Sequence, residues 1–191
     1  MTRIENHSPR EADRERELSS VAVDVLEQSK TLLTSLPDGL SFVKESVYVP
    51  KSNIAKHVRH IIDHYRLLFA SRLETSHTEN VAWVVDYDSR ERNIAMETNK
   101  DVAIQEIERI QAIILNANIP LSTPVQLRAL VSCASEEESE FESNYGRELW
   151  FCVHHTIHHH ALIKAICIEH GIGIPDSFGL APSTQKYYQK P

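Results

Sequence analysis

Cysteine is scarce in this chain and forms no pattern. Cys133, Cys152 and Cys167 are odd in number and contain no C-x-x-C pair, so a reduced, cytoplasmic protein is the expectation. Long apolar runs are missing too: none approaches the ~18 residues that a spanning helix needs. Basic residues are outnumbered, 20 Lys plus Arg against 27 Asp plus Glu, for a formal net charge of -7. With no basic stripe interleaved with aromatics, nucleic acid is excluded as an expected partner. The five glycines build no Gly-x-Ser-x-Gly elbow, phosphate loop or dinucleotide fingerprint. The opening MTRIENHSPREADRERELSS has no apolar core, so it reads as neither a secretory signal nor a membrane anchor. There is no internal repeat and no low-complexity segment. At 191 residues the chain fits one domain, expected over 18–191, behind a charged tail over 1–17.

What is present is helical periodicity. Leu18, Val21, Val25, Ser29, Leu32 and Leu36 follow helical spacing until Pro37-Asp38-Gly39 stops them. Leu40 to Val49 reads as a structured loop. Ser52 is placed to cap a second helix from Asn53 to about Arg72, whose apolar face is Ile54, Val58, Ile61, Tyr65 and Leu68. Asp88 with Glu91 offers a capping signature for a third helix, periodic at Ala103, Ile107, Ile110 and Ile114. Gln126 to Cys133 has strand character, as half of a small hairpin, and SEEESEFES reads as a solvated acidic connector. Ser143 or Asn144 caps a fourth helix that Gly171, Gly173 and Pro175 end near His170. Four long amphipathic segments with connections of mixed length predict an all-α fold: a four-helix bundle with long connections and at most a short β-hairpin between helices three and four.

Histidine is where the sequence is most unusual. Eight of the 11 histidines fall in two short helical windows. On helix four, HHTIHHH packs five histidines into seven positions, with His154 and His158 four apart, as are His155 and His159. That spacing stacks two imidazoles about 5.4 Å apart along one face, the start of a metal clamp. Cys152, His155, His159, Leu162 and Ile166 share the inner stripe, whereas His154, His158 and His160 fall off it. A catalytic site on zinc or a similar ion takes three protein ligands, so a third must come from another helix. Helix two offers His57, His60 and His64. On a helical wheel His57 and His64 lie closer to the apolar centre than His60, so periodicity alone leaves the choice open. A lone core histidine is usually just hydrogen-bonded, but a cluster of this density fits that reading poorly. Asp63 either orients an imidazole or pairs with Arg59 or Arg66. Arg147, Glu148, Asp86, Asp88, Arg90 and Arg92 read as an ionic network, and Cys152 as a buried small hydrophobe.

These segments resemble the DinB-like superfamily, which includes metal-dependent hydrolases. NIAKHVRHIIDHY is similar to its second helix, matching at Ile54, His60, Ile61, Ile62 and Asp63. HHTIHH is similar to its fourth-helix pattern at His155, His158 and His159. VDYDSRERN, GRELWFCVHHTIHHHALI and FGLAPST also look like blocks of one branch of it. The resemblance implies a four-helix bundle, often a dimer, with one mononuclear metal site made by His60, His155 and His159. It thereby selects His60 on helix two. The implied cofactor is a divalent transition metal (zinc, nickel or iron), and the implied partner is a small-molecule substrate, a thiol among the candidates. Such an ion can lower a bound water's pKa towards ~7 or bind a thiolate, so the expected activity is that of a hydrolase or low-molecular-weight-thiol transferase. A non-catalytic metal- or small-ligand-binding protein is the alternative. His57, His64 and His158 are the general-base or ligand-orienting candidates. One departure stands out: the family's Arg-Gly after the histidine pair is His160-Ala161 here.

Overall fold

The computed structural model describes residues 9–74, 82–89, 91, 94–135 and 137–189. Helix α1 spans Pro9–Ser35, α2 Gly39–Val43, α3 Ile54–Glu74, α4 Lys100–Asn116, α5 Tyr145–Glu169 and α6 Pro182–Tyr188. Strands β1 (Val84–Asp86), β2 (Pro124–Ala129) and β3 (Ser139–Asn144) form one sheet, and a single 3-10 turn covers Ala95–Glu97. Helix α1 starts at Pro9, inside the stretch read as a charged tail. Residues 1–8 lie outside the described residues, as do Arg90 and Arg92 of the expected ionic network. Among the described residues, no helix is long and apolar enough to cross a membrane.

The four long helices build the core. Helix α1 packs on α4 and α5, and α3 packs on α5 and α4. Residues of the expected stripes are buried there: Val25 and Leu32 from α1, Leu36 just after it, Ile54, Val58 and Leu68 from α3, Ile107 and Ile110 from α4, and Cys152 and Ile166 from α5. Fully buried Leu26, Leu33, Leu149 and Ile163, which those stripes did not include, join them. Burying such a side chain contributes about 1.5–3 kcal/mol, so these stripes fix how the helices face one another.

The all-α expectation is overturned by the sheet. β1 pairs with β2 in parallel (Val85↔Leu127), and β2 pairs antiparallel with β3 (Leu127↔Phe141, Arg128↔Glu140). The fold is therefore α+β, with a mixed three-stranded sheet that meets α3 through β1. A two-stranded hairpin does not describe it, because the third strand comes from before α4. The acidic connector misled because β3 is half of it. Both faces of β3 are largely exposed, so the strand lacks the apolar alternation that marks one. Backbone pairing holds it, aided by the exposed pair Arg128–Glu140.

Three local expectations also change. The segment after Gly39 opens as the short helix α2, because Asp38 caps it by accepting from Ser41 N at 2.7 Å and Phe42 is buried beneath. Asn53 rather than Ser52 caps α3, its Oδ1 accepting from Lys56 N at 2.8 Å. Asp88 caps nothing: its Oδ2 accepts from Leu130 N at 2.9 Å and ties the end of β1 to β2, while Asn99 caps α4. Asn144 caps α5, as one of the two expected residues.

Candidate metal centre

Helices α3 and α5 run side by side, and their histidines meet in the seam. Isoleucines at 54, 61 and 62 and Val58 hold α3 against the core, so His57, His60 and His64, three and four residues apart, line its α5-facing flank. Across the seam, Cys152, Thr156, Ile163 and Ile166 anchor α5 and aim His155 and His159 back. The structure brings His60, His155 and His159 together, one ring nitrogen of each within 4.8 Å of the others. His155 Nε2 lies 2.9 Å from His60 Nε2 and 3.1 Å from His159 Nε2.

This geometry has a chemical consequence. An imidazole ring nitrogen has one in-plane site, which holds either a proton or a lone pair. His155 Nε2 therefore cannot donate along one of its two contacts and accept along the other. Three such nitrogens converging without a cation leave lone pairs facing each other or N–H groups crowded together. On a tetrahedral ion with bonds of about 2.0–2.1 Å, ligand nitrogens stand roughly 3.3–3.4 Å apart. The two observed separations fall within a few tenths of an ångström of that value, so small ring movements suffice to seat an ion.

The other histidines take distinct places. His57 Nδ1 lies 2.8 Å from His159 Nδ1, and its Nε2 lies 2.8 Å from Ser52 Oγ. His64 Nδ1 donates to the His60 carbonyl at 2.9 Å, which places its proton on Nδ1 and leaves Nε2 to accept. Its ring lies between Tyr87 (centroids 5.0 Å apart, stacked) and His155 (4.1 Å). His158 is exposed at the rim, 5.2 Å from the His159 ring, and His154 is exposed and stacked on Trp150. His160 points to α1 instead, its Nε2 2.7 Å from Ser29 Oγ. The wheel ranking of helix two follows burial, since His57 and His64 are more buried than His60. Burial and convergence are different properties, and the α3 ring that converges with the pair His155 and His159 belongs to His60.

Two rings of the cluster are held in the uncharged form. Burial, followed by the neighbouring His60 and His155, lowers His159 to about 2. Burial likewise lowers His57, with His158 adding to the effect. Both rings are thus uncharged at neutral pH, with one nitrogen lone pair free, the form a metal ligand needs.

Among the described residues, the ion pairs of Asp63 run to arginines. The side chain pairs with Arg59 (2.9 Å) and Arg66 (3.6 Å), the arginine-pairing alternative of its two readings, but as a buried carboxylate rather than on the surface, and Arg59 also meets Glu97. Glu148 and Arg147 do form an ionic contact, at 2.8 Å. Sequence reasoning missed what surrounds them: fully buried Glu148 also accepts from Ser143 Oγ and from Tyr87 OH at 2.9 Å. Tyr87 thereby becomes a pinned wall for His64, although 61 residues separate it from Glu148. Cys152 sits behind this wall, 1% exposed, its thiol pushed up to about 12 by burial. Its sulfur is not among the converging groups. The signal for Ser52 was its position five residues before His57, hidden because a serine ahead of a helix reads as a cap.

No family model matches the chain, and no solved structure matches it. A curated protein of Rhizopus delemar named FK506-binding protein 5 is 36% identical over 171 residues, which cover 88% of this chain and 37% of that protein. The chain therefore spans little more than a third of the relative it matches. That relative's name overturns the resemblance to the DinB-like superfamily, and with it the metal-dependent hydrolase and thiol-transferase activities that the resemblance implied.

Proposed function

We propose that this chain is a metal-binding module holding one divalent transition ion on His60, His155 and His159. The observation that carries the reading is the convergence of His60 Nε2, at 2.9 Å, and His159 Nε2, at 3.1 Å, on His155 Nε2, three ring nitrogens that at best share a single N–H and otherwise turn lone pairs toward one another. Three neutral imidazoles leave the ion its full charge and at least one coordination position for an exogenous small-molecule donor. Zinc, nickel and iron all suit imidazole ligands, and availability in the cell decides between them. A reducing cytoplasm is the setting proposed, in keeping with free Cys133, Cys152 and Cys167.

The test is elemental analysis of untagged protein purified without added metal, followed by titration with zinc. About one equivalent of a single transition metal per chain is expected. Protein that takes up no zinc, nickel or iron even after reconstitution sinks the reading.

A second reading follows from the relative's name, namely that this stretch binds FK506. A cavity of about 240 Å³ between α1 and the loop before α6, walled by Leu32, Ile174, Pro175 and Phe178, offers an apolar seat. Calorimetric titration with FK506 decides it. Saturable heat abolished by Phe178→Asp supports the seat, and absence of heat assigns the name to the other parts of the relative.

A further inference from the structure

We propose that His57 is a positioning residue, fixing the orientation and tautomer of His159 through a directed chain that ends on Ser52. The inference rests on the metal reading above and assigns roles to two residues outside the ligand set. His159 turns Nε2 toward His155, 3.1 Å away, and Nδ1 toward His57, 2.8 Å away. A neutral imidazole that gives its Nε2 lone pair to an ion carries its proton on Nδ1. That proton points at His57 Nδ1, which must then be the acceptor. The proton of His57 is left on Nε2, where Ser52 Oγ accepts it at 2.8 Å. Each step follows from the previous one, and one tautomer of each ring satisfies the whole line.

The surroundings leave few substitutes for this line. His159 is 9% exposed and His57 8% exposed, so water is a poor replacement for the acceptor at His159 Nδ1. Ser52 is held independently of the histidines: its carbonyl accepts from Ser46 N at 2.9 Å, and its own N–H donates to the Val49 carbonyl at 3.2 Å. The 46–52 loop is in turn tied to the far end of α5, where Glu169 accepts from Val47 N at 2.8 Å. The chain's anchor is therefore a fixed loop rather than a mobile side chain. A hydrogen bond from a ligand histidine to a fixed acceptor raises its basicity and limits its rotation. Here that acceptor is a second imidazole.

The test compares zinc affinity, by competition with a chromophoric chelator, in the wild type, His57→Leu, His57→Asn and Ser52→Ala. Asn is informative because its Oδ1 is as many bonds from Cα as the Nδ1 of histidine and can accept the same proton. His57→Leu is expected to keep one zinc per chain while losing roughly 10–100-fold in affinity, and His57→Asn to recover to within about threefold of the wild type. Ser52→Ala is expected to lose a few-fold, on the order of threefold. Long-range proton–nitrogen NMR of zinc-loaded wild type should show His159 protonated at Nδ1 and His57 at Nε2. Complete loss of zinc in both His57 variants would make His57 a ligand and overturn the proposal, as would wild-type affinity in His57→Leu or an unprotonated His159 Nδ1. A wild type that binds no zinc defeats the metal reading itself, a result distinct from all of these.

Discussion

His159 and His160 are adjacent on α5 and have opposite fates. His159 faces α3 and joins a cluster of imidazoles, whereas His160 faces α1 and finds one serine hydroxyl, Ser29 Oγ at 2.7 Å. Both are buried and both are lowered, His159 to about 2 and His160 to about 3. The causes differ: burial alone accounts for His160, while His159 also feels His60 and His155. His160 is packed, stacked on Phe178 at 4.2 Å. Burial and a perturbed pKa therefore do not mark a site by themselves. Convergence of like groups does.

The sharpest way to break this comparison is to remove one ring from each side. His60→Ala, His155→Ala and His159→Ala should each weaken zinc binding by about 100-fold or more, since two imidazoles make an incomplete cage. His160→Ala should retain one zinc per chain and instead lose about 3 kcal/mol in urea unfolding, from the cavity left under Phe178. Zinc loss in His160→Ala at unchanged stability would reverse the roles argued for the two neighbours.

How much of this was legible in the sequence divides along the same line. The stripes Ala103, Ile107, Ile110, Ile114 and Ile54, Val58, Ile61 were legible because a buried helix face repeats every three or four residues. The density of histidine on two of those helices was legible for the same reason. Which histidine of α3 joins the point where the His155 and His159 Nε2 atoms converge was not, because a wheel reports depth and the choice depends on how two helices are offset along their axes. β1 and β3 were not legible as a sheet either. One is three residues long and pairs with a strand about 40 positions away, and the other buries no apolar face. Tyr87 and Glu148 belong to the same class, joined only by the fold.

A smaller effect tests the packed side alone. Gly179, at φ 75°, lies against α5 so closely that a Cβ would meet Ala161 N at 2.7 Å. Gly179→Ala adds both that clash and a strained backbone, and should cost about 2–3 kcal/mol. Zinc affinity should stay unchanged, because the clash lies on the α1-facing side of α5. A parallel loss of zinc would show that the two faces of α5 are not independent.

Acid separates the two rings by pH rather than by mutation. In chelator-treated protein both His159 and His160 are neutral when folded, with pKa values far below the unfolded value of about 6.5. Protons therefore favour the unfolded chain. Stability is intact above about pH 6.5 and falls as pH drops, by about 1.4 kcal/mol per pH unit for each such ring. Urea midpoints between pH 7 and pH 5 should show His160→Gln losing one ring's share of that slope. Saturating zinc should leave His159's share of the slope in place, because a bound ion keeps that ring from taking a second proton in the folded chain just as burial does. An unchanged slope in His160→Gln would mean that the ring is protonated in the folded state.

The smallest effect concerns neighbours in one loop. Ser52 and Asn53 both precede α3, and both looked like caps. Asn53 Oδ1 accepts from Lys56 N at 2.8 Å and its Nδ2 donates to the Val43 carbonyl at 3.0 Å, so its work is helix termination. Ser52 Oγ spends its contact on His57 instead. Asn53→Ala should lower stability by about 1 kcal/mol, the usual cost of a lost cap. It should leave zinc affinity within about twofold, since His57 sits a full turn into a helix held by Ile54 and Val58. If Asn53→Ala weakens zinc as much as Ser52→Ala does, the loop acts on the site through the helix start, and the hydroxyl of Ser52 has no separate role.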